Sequence, residues 1–309
     1  MRFRLNDIEA FLMVMETSSV SAAGLRLGLS KSVVSKRLTD LERTLGTQLL
    51  RRSTRGIIPT EKGHSFYQRA RAFMQQLDTA AESATDDKAD LVGQVRIAAP
   101  MSFGNIYLGP VLFEFASRHP ALNLVVDLDD RKIDIEAGGF DLAIRVTQLK
   151  DSALIARKLA NSRRIVVCSP GYAAAHGLPK SLDDIANHRC IGYAHLHSGQ
   201  LWQFEPKRRS GKVRSVVTRS AMVLNNGEAV RDAAIAGIGI CMIPLFIAAS
   251  GLRDGRLINA MPNERPTSDT IYAVYPKTAV QSNKVRMIVE HLREKLSGPL
   301  PWEDVLQAR

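Results

Sequence analysis

A change of hydrophobic period near residue 90 constrains the fold more than any other feature. Before it, apolar residues recur every three to four positions; after it, short β-type runs alternate with helical ones. Leu5, Ile8, Phe11, Leu12 and Met15 make one apolar face of a first helix. Ser21 is placed to cap a short second helix over residues 22–27, where Ala22, Ala23 and Gly24 permit close approach of a neighbouring helix. Gly28 ends that helix, and Ser30 or Lys31 opens a third with Val34, Leu38, Leu41 and Leu45 as its apolar stripe. Three short helices with a Gly-containing turn between the last two form the helix-turn-helix pattern.

The next segment, LLRRSTRGIIPT over residues 49–60, lacks helical period and carries Gly56 and Pro59, so it reads as a small β-wing with basic residues at its tip. A capping pattern at Thr60 starts a long helix whose Phe66, Ala70, Phe73, Leu77, Ala80 and Ala84 step alternately by four and three, the spacing of a two-stranded seam. The same residues would serve to pack the helix on its own domain. No further apolar segment within the first 90 residues is left to cover it, however, so dimerisation is the expectation.

Residues 86–90, DDKAD, read as a hinge. Beyond it, strands are expected at Val95–Ala98, Leu122–Leu128, Leu142–Val146, Ile165–Cys168, Ile240–Ile243 and Ile271–Tyr275, alternating with helices in an α/β domain. The expected division is a winged helix-turn-helix over residues 1–63, a dimerising linker helix over 64–90 and an α/β domain over 91–300. One lobe of that domain takes about 91–161 and 267–300, the other about 162–266.

The formal net charge is +11, and residues 1–62 carry eleven Lys and Arg against six Asp and Glu, which favours an anionic polymer as partner. Cys168, Cys190 and Cys241 form no CxxC, so neither a disulfide framework nor a zinc site is expected, and a reducing cytoplasm fits. Asn6, Asp7 and Glu9 interrupt what would be a secretory apolar run, and Gly237, Gly239 and Pro244 interrupt the apolar stretch 233–249, so no membrane partner is expected. No GxSxG, Walker A or HExxH sequence occurs, and Gly237-Ile238-Gly239 lacks GxGxxG spacing. An enzyme, a cofactor and a metal are therefore not expected.

The sequence resembles the LysR-type transcriptional regulators over nearly its whole length. The residues that carry the resemblance are Leu5, Phe11, Ser19, Ser21, Ala23, Leu27, Leu29, Ser30, Val34, Ser35, Leu38, Leu41, Glu42, Leu45, Gly46, Leu49, Leu50, Arg52, Arg55, Thr60 and Gly63, without insertion or gap. Further on, FDLAIR (140–145), SALIARKL (152–159), SPGYAAAHGLP (169–179), HRC (188–190) and AIAGIGICMIP (234–244) resemble the effector domain of one branch of the family. The chain departs from the common pattern with Lys31-Ser32 in place of Gln-Pro and Lys36 in place of Arg. The resemblance implies a two-lobed domain like the type 2 periplasmic binding proteins, a homodimer assembling into a homotetramer, a two-fold operator in double-stranded DNA, and RNA polymerase as a further partner. It also implies a small effector, anionic or carbonyl-bearing, held between the lobes.

On the third helix Lys31, Ser32, Ser35 and Lys36 lie opposite Val34, Leu38 and Leu41 and can reach base edges. Arg37 is one step further round, facing phosphate. Arg52 and Arg55 on the wing can meet phosphates or a narrow minor groove, and Ser21 and Ser30 can donate to backbone oxygens. Four residues are candidates for the effector. Ser102, near a helix start, holds a carboxylate or is an N-cap; Arg145, ending a strand, faces the crevice or bridges the lobes; Asn225 and Asn226 bind ligand or cap the helix from Glu228. Cys241 offers an alternative of another kind, a thiol-responsive regulator of the same fold, with a buried structural thiol as the plainer reading.

Overall fold

A computed structural model describes residues 4–53, 56–83, 91–131, 133–136, 138–148, 154–194, 201–207 and 211–306. The chain separates into two compact units, residues 1–87 with 136–139, and residues 88–135 with 140–309.

The first unit contains helices α1 (Leu5–Thr17), α2 (Val20–Leu27) and α3 (Lys31–Leu45), the antiparallel wing β1 (Leu50–Ser53) and β2 (Gly56–Pro59), and the long helix α4 (Glu61–Ser83). Ser19, not Ser21, caps α2: its Oγ accepts from Ala22 N at 3.3 Å, which leaves Ser21 exposed inside the first turn. A Cβ on Gly24 would stand 2.6 Å from the carbonyl oxygen of Leu29, so only glycine lets the turn fold back so tightly. Ser30 caps α3 by accepting from Val33 N at 3.3 Å. Val34 and Leu41 are fully buried, with Leu38 and Leu45 packed beside them, as the stripe predicts. Leu5, expected on the apolar face of α1, is instead exposed at the open end of that helix. Glu42 ties α3 to the wing by accepting from Leu49 N at 2.7 Å and Leu50 N at 3.0 Å.

Thr60 caps α4 through Gly63 N at 2.9 Å. The first half of α4 belongs to this unit's own core. Phe66 lies 5.4 Å from Phe11, ring to ring, Ala70 is buried, and Arg71 Nη1 donates to Glu16 Oε1 at 2.9 Å. Phe66 and Ala70 therefore leave the expected seam, because α1 already covers them. Phe73 and Leu77 are 50% and 41% exposed. Ala84 and the hinge at 86–90 lie outside the described residues.

The second unit has two five-stranded sheets. The first, in order β4-β3-β5-β14-β6, joins β3 (Gly93–Ala99), β4 (Leu122–Leu128), β5 (Leu142–Thr147), β6 (Ile155–Ser162) and β14 (Asp269–Tyr275). The second, in order β11-β8-β12-β7-β13, joins β7 (Arg164–Cys168), β8 (Cys190–Tyr193), β11 (Ser220–Leu224), β12 (Ile240–Pro244) and β13 (Ile258–Asn259). A separate ribbon pairs β9 (Leu201–Phe204) with β10 (Arg214–Val217). The helices are α5 (Met101–Phe103), which runs through a π-turn at Gly104–Leu108 into α6 (Gly109–Arg118), then α7 (Pro170–His176), α8 (Gly227–Ile235), α9 (Leu245–Arg253) and α10 (Asn283–Leu296). The chain passes between the sheets twice, at Ser162–Arg164 and between β13 and β14.

Each expected strand is present, lengthened at most by a few residues. The unforeseen ones are β6, β8, β9, β10, β11 and β13. Strands β6, β11 and β13 are sheet edges, and β9 and β10 form a two-stranded ribbon outside both sheets, with one bridge from Phe204 to Pro266. Such strands alternate too weakly to announce themselves, because only part of each is covered.

Candidate DNA-reading helix and effector cavity

On α3 the cap and the stripe together decide which side chains face outward. Lys31, Ser32 and Lys36 are exposed, Ser35 is half-buried, and the Ser30 and Ser32 hydroxyls share a hydrogen bond of 2.8 Å. Val33, not singled out in the sequence, is 39% exposed beside them and presents an apolar group of the kind that meets a thymine methyl. Arg37 is partly committed elsewhere, since its Nη1 donates to the carbonyl of Asn6 at 3.3 Å and so ties α3 to α1. On the wing, Arg51 is exposed and pairs with Ile58. Arg52 lies on β1 opposite Ile57, and Arg55 lies outside the described residues.

In the second unit a cavity of about 180 Å³ opens between the sheets. Its lining comes from both lobes: Pro100, Ser102, Phe103, Asp130, Val146 and Asp269 on one side, Arg164, Tyr193, Gly227, Met242, Ile243, Pro244, Phe246 and Ile247 on the other. Ser102 is not an N-cap. Pro100 takes that position, and the Ser102 Oγ is 3% exposed and has no hydrogen-bond partner among the described residues. A buried hydroxyl without a partner carries a desolvation cost that a ligand would relieve. A Cβ at Gly227 would stand 3.2 Å from that hydroxyl and 2.5 Å from Ile247 Cδ1, so glycine there keeps the wall open.

Of the helix-start amides expected to hold a ligand carboxylate, that of Met101 already has one, donating to Asp130 Oδ1 at 2.8 Å. Tyr193 from β8 reaches across to the same Asp130, and burial, reinforced by that carboxylate, raises its phenol above the ordinary range. Arg145 does not line the cavity. Its neighbour Val146 does, and strand alternation turns Arg145 to the other face, where Nη2 donates to the carbonyl of Ile133 at 2.7 Å. Burial there lowers its guanidinium pKa. The lobe-bridging ion pair is made instead by Arg164 and Asp269, which the sequence reading missed because neither stands out in its own segment.

Asn226 caps α8, accepting from Ala229 N at 2.9 Å, while its Nδ2 lies 3.3 Å from Met101 Sδ in the other lobe. The helix starts at Gly227, one residue before the expected position, and Asn225 is exposed. All three cysteines are buried. Burial pushes the thiol of Cys168 up to about 11, that of Cys190 up to about 12, and that of Cys241 higher still, which disfavours the thiolate that redox sensing needs.

A winged helix-turn-helix and a two-lobed α/β domain with a cavity between its sheets, in one chain, define a ligand-responsive transcription regulator. The family model for the bacterial regulatory helix-turn-helix protein of the lysR family matches residues 5–64, and that for the LysR substrate binding domain matches residues 88–297, so the chain belongs to the LysR family. It is 35% identical over 294 residues to the transcriptional regulator PtxR of Pseudomonas aeruginosa, covering 94% of this chain and 93% of that protein. It is 32% identical over 298 residues to DmlR of Escherichia coli, covering 96% of each. Among solved structures it resembles CrgA, a LysR-type regulator of Neisseria meningitidis, with TM-score 0.61 at 27% identity over 96% of this chain and 100% of that one. It also resembles the full-length virulence activator AphB of Vibrio cholerae, with TM-score 0.58 at 26% identity over 94% and 98%. Among the described residues, no helix is long and apolar enough to cross a membrane.

Proposed function

We propose that the chain reads operator DNA in the cytoplasm as a dimer joined through the distal part of α4, with a small effector in the cavity beside Ser102 changing the closure of the two lobes. The observation that carries the effector reading is the buried Ser102 hydroxyl, without a partner among the described residues, facing a space lined from both lobes. Lys31, Ser32, Ser35 and Lys36 would enter the major groove and specify bases. Ser21, Ser30, Arg37, Arg52 and Arg55 would hold the phosphate backbone. Lys is a point donor and Ser a weak discriminator, so DNA shape and the spacing of paired heads would supply much of the selectivity.

An effector acts only through unequal affinity for two lobe arrangements. Those arrangements would set the spacing of paired heads within a dimer or tetramer, and thereby DNA bending or contact with RNA polymerase. The chain on this reading performs no catalysis. The deciding experiment is crystallisation of the C-terminal domain with ligands from a metabolite screen. Ligand density against Ser102 is the expected result, and density only outside the cleft would remove the assignment.

A further inference from the structure

The described charges that line the cavity leave one carboxylate in excess. Its described lining holds two carboxylates, Asp130 and Asp269, and one cation, Arg164. Arg164 is engaged by Asp269 through both Nε, at 2.7 Å, and Nη2, at 2.6 Å. Asp130 takes the Met101 amide and faces the Tyr193 hydroxyl. A ligand carboxylate placed here would add a third negative charge with no unpaired cation among the described lining side chains to meet it. The other walls are apolar, with Phe103 and Phe246 meeting edge to face at 5.4 Å. At about 180 Å³ the space is slightly larger than an apolar cavity of about 150 Å³ that holds benzene. Among the described lining side chains, the buried polar atom left without a partner is Ser102 Oγ.

We propose that this cavity selects a compact uncharged ligand, one ring or its equivalent in bulk, bearing one carbonyl, amide or hydroxyl group for Ser102 Oγ, and that it rejects carboxylates. The inference rests on the effector reading above and narrows the effector expected from sequence to its carbonyl-bearing half.

Benzamide and benzoate have nearly the same shape and differ in charge at neutral pH, so their affinities for the full-length protein, measured by titration calorimetry, test the point directly. Benzamide should bind at least about tenfold more tightly than benzoate. Ser102→Ala should weaken benzamide by about five- to tenfold. Asp130→Asn keeps an oxygen for the Met101 amide while removing one negative charge, and should raise benzoate affinity relative to benzamide severalfold. Benzoate binding as tightly as benzamide or more so, with loss in Ser102→Ala, would overturn the charge selection and leave the cavity as the effector site. Binding of either probe that ignores Ser102→Ala would put the ligand elsewhere and overturn the cavity reading itself. Binding of neither would overturn the proposed size and class.

Discussion

Arg164 and Asp269 are 105 residues apart in sequence, yet Arg164 Nε donates to Asp269 Oδ2 at 2.7 Å where the chain passes between the two lobes. Their side chains are 16% and 5% exposed. Burial pushes the Asp269 carboxyl above the usual range even though Arg164 pulls it down, so desolvation outweighs attraction at this aspartate. Such a pair holds geometry more than it adds net stability.

Removing one partner is therefore expected to cost more than removing both. Arg164→Met should destabilise the C-terminal domain by about 3 kcal/mol, because it leaves a buried carboxylate uncompensated. Arg164→Met combined with Asp269→Leu should recover much of that loss. Chemical denaturation of the single and double variants measures the difference, and equal or additive losses would show that the two residues are not coupled.

On α3, Lys36→Ala should weaken binding to the selected operator by about 1 to 3 kcal/mol and leave random-sequence binding nearly unchanged, as loss of a base contact does. Arg55→Ala should weaken both, as loss of a phosphate contact does. Equilibrium binding at fixed salt on the two DNAs separates the cases. Equal losses for Lys36→Ala would take it out of the base-reading set.

With Phe66 and Ala70 committed to the head's own core, the proposed dimerisation through α4 would fall to the exposed Phe73 and Leu77. Leu77→Asp places a charge in that apolar patch and should separate the subunits, lowering operator affinity by about 100-fold as the two heads lose their effective concentration for each other. Sedimentation shows the outcome. An unchanged oligomer with undiminished operator binding would mean that subunits join elsewhere.

His188 gives the second lobe a dependence on acid. Arg189 N donates to the Tyr172 hydroxyl oxygen at 3.2 Å, and the same hydroxyl shares a hydrogen bond of 3.2 Å with His188 Nδ1. Burial lowers the His188 pKa, with repulsion from His176 adding to it and Asp184 opposing. The folded state therefore prefers the unprotonated ring. That preference contributes stability above the ordinary histidine value of about 6.5 and is lost as pH falls through the depressed folded value. His188→Gln should flatten the decline of thermal stability between about pH 7 and pH 5. A wild-type slope retained in the variant would assign the decline to other groups.

Local pattern was enough to define the elements of the head. The stripe of Val34, Leu38 and Leu41, the turn at Gly28 and the caps at Ser30 and Thr60 are all decided within a few residues, by hydrogen bonds and periodicities that need no distant partner. Small offsets marked the limit of that reasoning. Ser19 and Ser21 are both competent caps by composition, and the extended backbone of Ser19, with the helix running from Val20, makes the first the cap. Of the inner strands, β3, β5, β7, β12 and β14 were legible from their own apolar runs, and the four-residue β8 was not.

Tertiary structure decided what each exposed or apolar position meets. Phe66 and Phe73 read alike along α4, but only one finds Phe11. Arg145 and Val146 are adjacent, and the face that turns inward depends on how β5 sits in its sheet. Arg164 and Asp269 carry no local sign of each other, since the rest of the second sheet lies between them in the chain. Sequence determined the helix-turn-helix and the alternation of strands and helices, because periodicity is a local property, while the two-lobed arrangement came from the family resemblance. Which charges surround the cavity, and that Ser102 is left there without a partner among the described residues, follows from contacts among residues far apart in the chain.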